Sequence, residues 1–228
     1  MASDPKAKQQ SLQRCEAWVV YMDIYGFKSM VMSQEIKLLT RKLLDVRSDA
    51  IKSVVRIDQI PIVYLLSDSI FLVYPVDKNN VKTKSSQLQR CIEDAAEVLS
   101  KFAECQLPLR GGISFGEVCY GSHTLTGKAV VSAVQNETLV SAPLVVLPAK
   151  EIGQGILVRG FKLYPVKPHG LMKLKLVFPQ PCDEFYRLVH TNLTKYVVEG
   201  PYDVAQAWYD AWKFLTEHSP QKKPAGSM

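Results

Sequence analysis

The chain has 228 residues, 47% hydrophobic and 22% charged, enough for one substantial core and short for two. With 12 Gly and 13 Pro, collagen-like, disordered and coiled-coil classes are excluded. A formal charge of +6 suits a polyanionic ligand such as a nucleotide, but the excess is too small to point to nucleic acid.

No apolar run reaches the roughly 18 residues of a bilayer span, and Met1 to Arg14 is polar where a signal peptide has an apolar centre. A cytoplasmic protein with no direct membrane insertion is expected. Five scattered cysteines without a CxxC read as reduced thiols, not as a disulfide framework or a structural zinc site. Residues 1–14 and 220–228 lack apolar periodicity and read as tails, leaving 15–219 as one domain.

Ala17 to Ile24 is almost entirely apolar or aromatic, contains Asp23, and runs into Tyr25-Gly26-Phe27, the pattern of a buried strand ending in a tight turn. Met30, Ile36, Leu39 and Leu43 predict helix to about Val55. Ile60 to Leu66 and Ser69 to Tyr74 read as a hairpin with Asp68 at its tip. Leu88, Ile92, Ala95, Leu99 and Phe102 set an amphipathic helix over Ser86 to Gln106, ended by Pro108. Leu109 to Tyr120 reads as a strand and Gly127 to Ser141 as a helix stopped before Pro143. Short strands are expected at Leu144–Leu147, Ile156–Arg159 and Leu171–Phe178, and a terminal helix at Tyr202–Glu217. A hairpin between helices favours an α+β sandwich of ferredoxin type, a mixed or antiparallel sheet flanked by helices, over a doubly wound parallel sheet.

Asp23 and Asp68 each sit where a strand gives way to a turn. A carboxylate closing an apolar strand is costly to bury alone, and a divalent cation, Mg²⁺ or Mn²⁺, shared between two such groups resolves the cost. Singly, either Asp reads first as a turn cap or a surface partner for Lys; the two together shift the reading to a cation site. Gly26 lets backbone N–H groups approach an anion, which makes Ile24 to Phe27 a possible triphosphate cradle. Arg110, followed by Gly111 and Gly112, is placed to clamp phosphate oxygens, its plainer role being a salt bridge at a strand end.

Met22-Asp23-Ile24-Tyr25-Gly26-Phe27, Ser67-Asp68 and Arg110-Gly111-Gly112-Ile113-Ser114-Phe115-Gly116 together resemble the catalytic domain of class III nucleotidyl cyclases in order and spacing. The resemblance spans roughly residues 17–178 and implies that family's ferredoxin-like fold. It implies two divalent ions, Mn²⁺ or Mg²⁺, held by Asp23, Asp68 and Ile24, and a homodimer with active sites at the subunit interface. One departure is sharp: the family's helix carries an Asn and an Arg where this chain has Val131 and Gln135. At the base-specifying positions stand Tyr64 and Thr124.

With Arg-Gly-Gly-Ile-Ser-x-Gly-Glu, this combination looks like the pyrimidine cyclases of the bacterial Pycsar antiphage system, where Tyr at the Tyr64 position goes with uridylate cyclases. The resemblance implies UTP as substrate and cyclic UMP as product. The triphosphate would lie over Ile24, Tyr25, Gly26 and Phe27, with Arg110 on phosphate, Tyr64, Thr124 and Gln135 around the nucleoside, and Lys167 or Lys173 on the terminal phosphates. A separate effector protein would receive the cyclic nucleotide. A cytidylate cyclase and an inactive nucleotide-binding or dimerising module are the alternatives. Tyr64 reads as readily as a half-buried strand aromatic, and Trp208 and Trp212 read as core before interface.

Overall fold

The computed structural model describes residues 12–55, 60–77, 81–139, 142–148, 164–166, 174–177 and 182–218. The chain begins with β1 (Gln13–Ile24), α1 (Phe27–Ser33), α2 (Ile36–Val54), β2 (Ile62–Leu66), β3 (Ser69–Val76) and α3 (Val81–Glu104). Next come β4 (Leu109–Gly121), β5 (Thr124–Thr126), α4 (Lys128–Glu137), β6 (Val145–Pro148), β7 (Tyr164–Val166) and β8 (Leu174–Val177). Two helices follow, α5 (Cys182–Glu199) and α6 (Tyr202–His218).

The strands form one mixed sheet in the order β2-β3-β1-β4-β6-β8-β7, with β5 folded back on β4. Its first four strands, with the helices between them, have the order expected of a ferredoxin-type sandwich. The contacts among β1 to β4 are antiparallel, whereas β6 lies parallel to β4. β1 is central because it is the most continuously apolar strand, and its alternation sends Trp18, Val20, Met22 and Ile24 to one face and Ala17, Val19, Tyr21 and Asp23 to the other.

The first face carries the main core. Leu39, Leu43 and Val46 of α2, Leu88, Ile92 and Phe102 of α3, Phe185 and Val189 of α5, and Val204, Trp208 and Leu215 of α6 all pack there. Each large side chain fully buried in this layer contributes about 1.5–3 kcal/mol. A polar knot sits inside it: Tyr74 donates to Asp94 at 2.7 Å, and Arg90 pairs with the same carboxylate while donating to the Val54 carbonyl that ends α2. Among the described residues the helix covering the second face is α4, through Ala129 and Ala133, and Tyr21, Ile62 and Tyr64 stay half-buried.

Several expectations needed adjustment. The helix expected through Val55 is two helices, broken where Gln34 turns extended at φ −117° and ψ 159°. The helix expected from Ser86 begins a turn earlier, at Val81, and the terminal helix continues to His218. α5, β5 and β7 were not anticipated. The first strand starts at Gln13, so Gln13 and Arg14, expected in the tail, belong to β1; the expected strand at Ile156–Arg159, residues 1–11 and 219–228, and Lys167 and Lys173 lie outside the described residues.

Candidate active site

The site is built on the open face of the sheet by strand register. Asp23 lies directly across from Ser69 on β3 and from Arg110 on β4. The two-residue turn at Ser67 and Asp68 joins β2 to β3, and Ser67 takes the left-handed conformation at φ 47° that a tight turn needs. Asp68 is thereby brought close enough for its charge to act on Asp23. The two acidic residues singled out by sequence, 45 positions apart in the chain, therefore form one pair.

Electrostatics at the pair are those of crowded acids. Burial raises the Asp23 carboxyl above its ordinary value, and the Asp68 charge adds to this, while the Ser69 hydroxyl and Arg110 oppose it. Ser69 donates to Asp23 at 2.8 Å, and its oxygen also meets the Tyr21 hydroxyl at 3.2 Å. Burial likewise raises Glu137, against the pull of Arg110.

Two cations bracket the acids. Arg110 forms an ion pair with Glu137 at the end of α4 and lies over the Tyr25 ring, 4.5 Å from its centroid. The guanidinium is 25% exposed and Glu137 only 5%, so one face of Arg110 is fixed from below while the rest stays accessible. Arg47 of α2 donates to the Ser67 carbonyl and feels the Asp68 charge. Neither Glu137 nor Arg47 was identified from the sequence; both act through contacts between distant elements. Gly112 explains how Glu137 gets so close: a Cβ there would stand 2.3 Å from the Ala133 carbonyl and 2.7 Å from the Glu137 nitrogen, so only glycine lets α4 descend onto β4.

The turn after Asp23 is equally specific. Gly26 is left-handed at φ 73°, Tyr25 N–H donates to the Pro108 carbonyl at 2.8 Å, and α1 starts at Phe27. Ser29 in the first turn of α1 donates to Asp203 of α6 at 2.6 Å. Ile24 is fully buried and apolar, which leaves its backbone carbonyl as the group it can offer a cation.

The expected base-recognition residues gather elsewhere. The Tyr64 hydroxyl donates to the carbonyls of Thr124, at 2.9 Å, and Gly121. Tyr64 is thus tethered to the β4–β5 turn. Val131 is 56% exposed, and Gln135 is exposed beside it on the outer side of α4. The residues at the Asn and Arg positions therefore face away from the carboxylates.

The donor set suits a hard divalent cation: two carboxylates on rigid strand ends and a backbone carbonyl, all oxygen. Asp23 and Asp68 pushed together, with the charged form of Asp23 disfavoured, is the condition a cation relieves. Among the described residues no group of three or more His, Cys, Asp or Glu side chains is arranged around a metal position, so the pair is the candidate. No described helix is long and apolar enough to cross a membrane.

No protein-family model matches the chain, and no curated protein matches it. Solved structures do. The guanylyl cyclase Cya2 aligns at TM-score 0.53 and 15% identity over 74% of this chain and 95% of its own. The adenylyl cyclase CyaB from P. aeruginosa gives TM-score 0.56 at 15% identity, over 75% and 97%. The non-canonical dimeric guanylyl cyclase domain of the RhoGC fusion protein from the fungus Blastocladiella emersonii gives 0.56 at 14%, over 75% and 98%. The likeness shows the fold: a mixed sheet flanked by helices, arranged as in these cyclase domains.

Proposed function

We propose that the protein is a nucleotidyl cyclase that converts UTP to 3′,5′-cyclic UMP and diphosphate, at a site completed by a second copy of the chain. The single observation that carries the reading is the Asp23–Asp68 pair beside Arg110, on the strand ends of a fold shared with adenylyl and guanylyl cyclases. A scaffold has no physical use for two carboxylates held together against their own repulsion.

In this reading the 3′ oxygen of UTP attacks the α-phosphorus, the bond to the β-phosphate oxygen breaks, and diphosphate leaves. Two ions, Mg²⁺ or Mn²⁺, bound by Asp23, Asp68 and the Ile24 carbonyl would supply neutralisation of phosphate charge and activation of the attacking oxygen. The chain's own residues position the reactants. In the turn from Ile24 through Phe27, where Tyr25 N–H is held by Pro108, Gly26 and Phe27 would present backbone N–H groups to the triphosphate, and Arg110, steadied by Glu137 and Tyr25, would offer N–H groups to phosphate oxygens. Tyr64 and Thr124 would read the base from the partner subunit, as the resemblance implies. A phenol filling the space left by a small pyrimidine supports UTP over a purine. By resemblance the product would signal to a separate effector protein in antiphage defence.

One observation favours a second reading. Val131 and Gln135 leave the outer face of α4 without the family's Asn and Arg, as in a module that binds nucleotide without turnover. The experiment that separates the readings incubates the protein with each of the four ribonucleoside triphosphates and Mn²⁺, and identifies products by mass spectrometry beside Asp23→Ala and Asp68→Ala. Cyclic UMP made by the wild type and by neither variant is expected. Cyclic CMP instead reassigns the base, and full activity in Asp68→Ala refutes the carboxylate pair.

A further inference from the structure

A cavity of about 790 Å³ opens between the α1–α2 link, α2, the end of α3 and the α5–α6 turn. None of Asp23, Asp68, Arg110, Tyr64 or Thr124 lines it. Its volume is that of a small-molecule site, and its wall chemistry is not that of idle surface.

Lys42 is the half-buried cation of this wall. Burial pushes its ammonium below the ordinary value, and the nearby Lys195 charge adds to the push against the opposing effect of Cys105. Lys42 has no ion pair or hydrogen bond with any other described residue. The acidic side chains on the same walls, Glu35, Asp45 and Glu199, are all exposed. The half-buried Lys42 ammonium and the exposed Lys195 ammonium beside it repel each other, and an anion between them removes the cost.

The second observation is that Lys195 is deliberately aimed. Its Nζ donates to Gln106 Oε1 at 2.6 Å, and Gln106 is held by the Tyr196 hydroxyl donating to its carbonyl at 2.9 Å. Gln106 sits in the left-handed region at φ 61°, a conformation that costs a non-glycine residue about 1 kcal/mol or more and persists only where neighbours enforce it. The strained residue thus orients a lysine toward the cavity, where Arg41 supplies a third cation.

We propose that this cavity binds a small phosphorylated molecule, its phosphate dianion held between Lys42 and Lys195, at a site separate from the Asp23–Asp68 pair. Lysines meet phosphate as point charges, and Tyr196 and Pro201 give the remainder of such a molecule an apolar surface. The shared chemistry is the phosphate group, whether free or esterified.

The test measures binding of inorganic phosphate and of ribose 5-phosphate to the full chain by ligand-observed NMR at low ionic strength. Saturable binding is expected, weakened about tenfold in Lys42→Met. Lys195→Gln, an exposed position that leaves folding undisturbed, should weaken it similarly, and Asp23→Ala should leave it unchanged. Tighter binding of ribose 5-phosphate assigns an ester, and tighter binding of inorganic phosphate assigns the free ion. The proposal is overturned by binding that survives both lysine substitutions, by binding lost in Asp23→Ala, or by no saturation with either probe up to about 20 mM.

Discussion

Removing the negative charge beneath Arg110 is the most direct probe of how the site is supported. In Glu137→Gln the guanidinium keeps a neighbour of the same shape and loses its counter-charge. Breaking a buried ion pair from one side costs about 3–5 kcal/mol. Arg110 keeps a quarter of its side-chain exposure and faces Asp23 across the strands, so about 2–3 kcal/mol is the expected loss. With a urea slope near 2.5 kcal/mol per molar, the unfolding midpoint should fall by about 1 M. The double variant Arg110→Met with Glu137→Leu should recover to within about 1 kcal/mol of the wild type, because apolar pairs of similar size replace buried ion pairs well. Turnover in that variant should nonetheless fall by about 100-fold or more, since the guanidinium is gone from the phosphate. A loss under about 0.5 kcal/mol in Glu137→Gln, or strict additivity of the two single substitutions, refutes the claim that the pair is buried and coupled.

Two further predictions follow from the same geometry. Asp23 titrates above its ordinary value in the fold, so the fold favours its neutral form more than the unfolded chain does: stability relative to Asp23→Asn is lost as pH rises from the ordinary value through the raised one. Asp23→Asn should therefore be the more stable protein at neutral pH without metal, with a gap that closes on acidification, and Mn²⁺ affinity read by electron paramagnetic resonance should drop in the same window. Tyr64→Phe forfeits the hydrogen bond to the β4–β5 turn, worth about 1 kcal/mol in urea unfolding, and should shift the UTP-to-ATP preference in a competition assay; an unchanged preference removes Tyr64 from base recognition.

The carboxylate pair was legible because its signal is local. An apolar run containing a single acid, and a hairpin tip carrying another, each announce a strand end, and antiparallel register brings such ends together. The ferredoxin-type order of β1 to β4 followed from the hairpin between helices for the same reason. α5 was missed although Phe185, Val189, Asn192 and Tyr196 lie on one buried side; His190, Thr191, Asn192 and Thr194 dilute the apolar period, and the helix is stabilised by packing on α3 and α6. The break at Gln34 was missed because Ser33-Gln34-Glu35 contains neither Gly nor Pro. Glu137 escaped notice since nothing in a helix sequence states which strand residue its last turn will meet, and Arg47 reaches Ser67 across a gap in the chain no motif spans.

The hydrogen bond from Ser29 to Asp203 joins residues 174 positions apart, and it closes the turn that follows the first strand with the first turn of the last helix. A ribosome adding about 5–20 residues per second needs roughly 9–35 s to pass from one to the other. Throughout that interval the nascent sheet can form while the turn beside Asp23 waits for its final wall. The turn beside Asp23 is in this way completed only once α6 has been made, and a nascent chain stalled before α6 carries the carboxylates without the helix that seats their neighbouring turn.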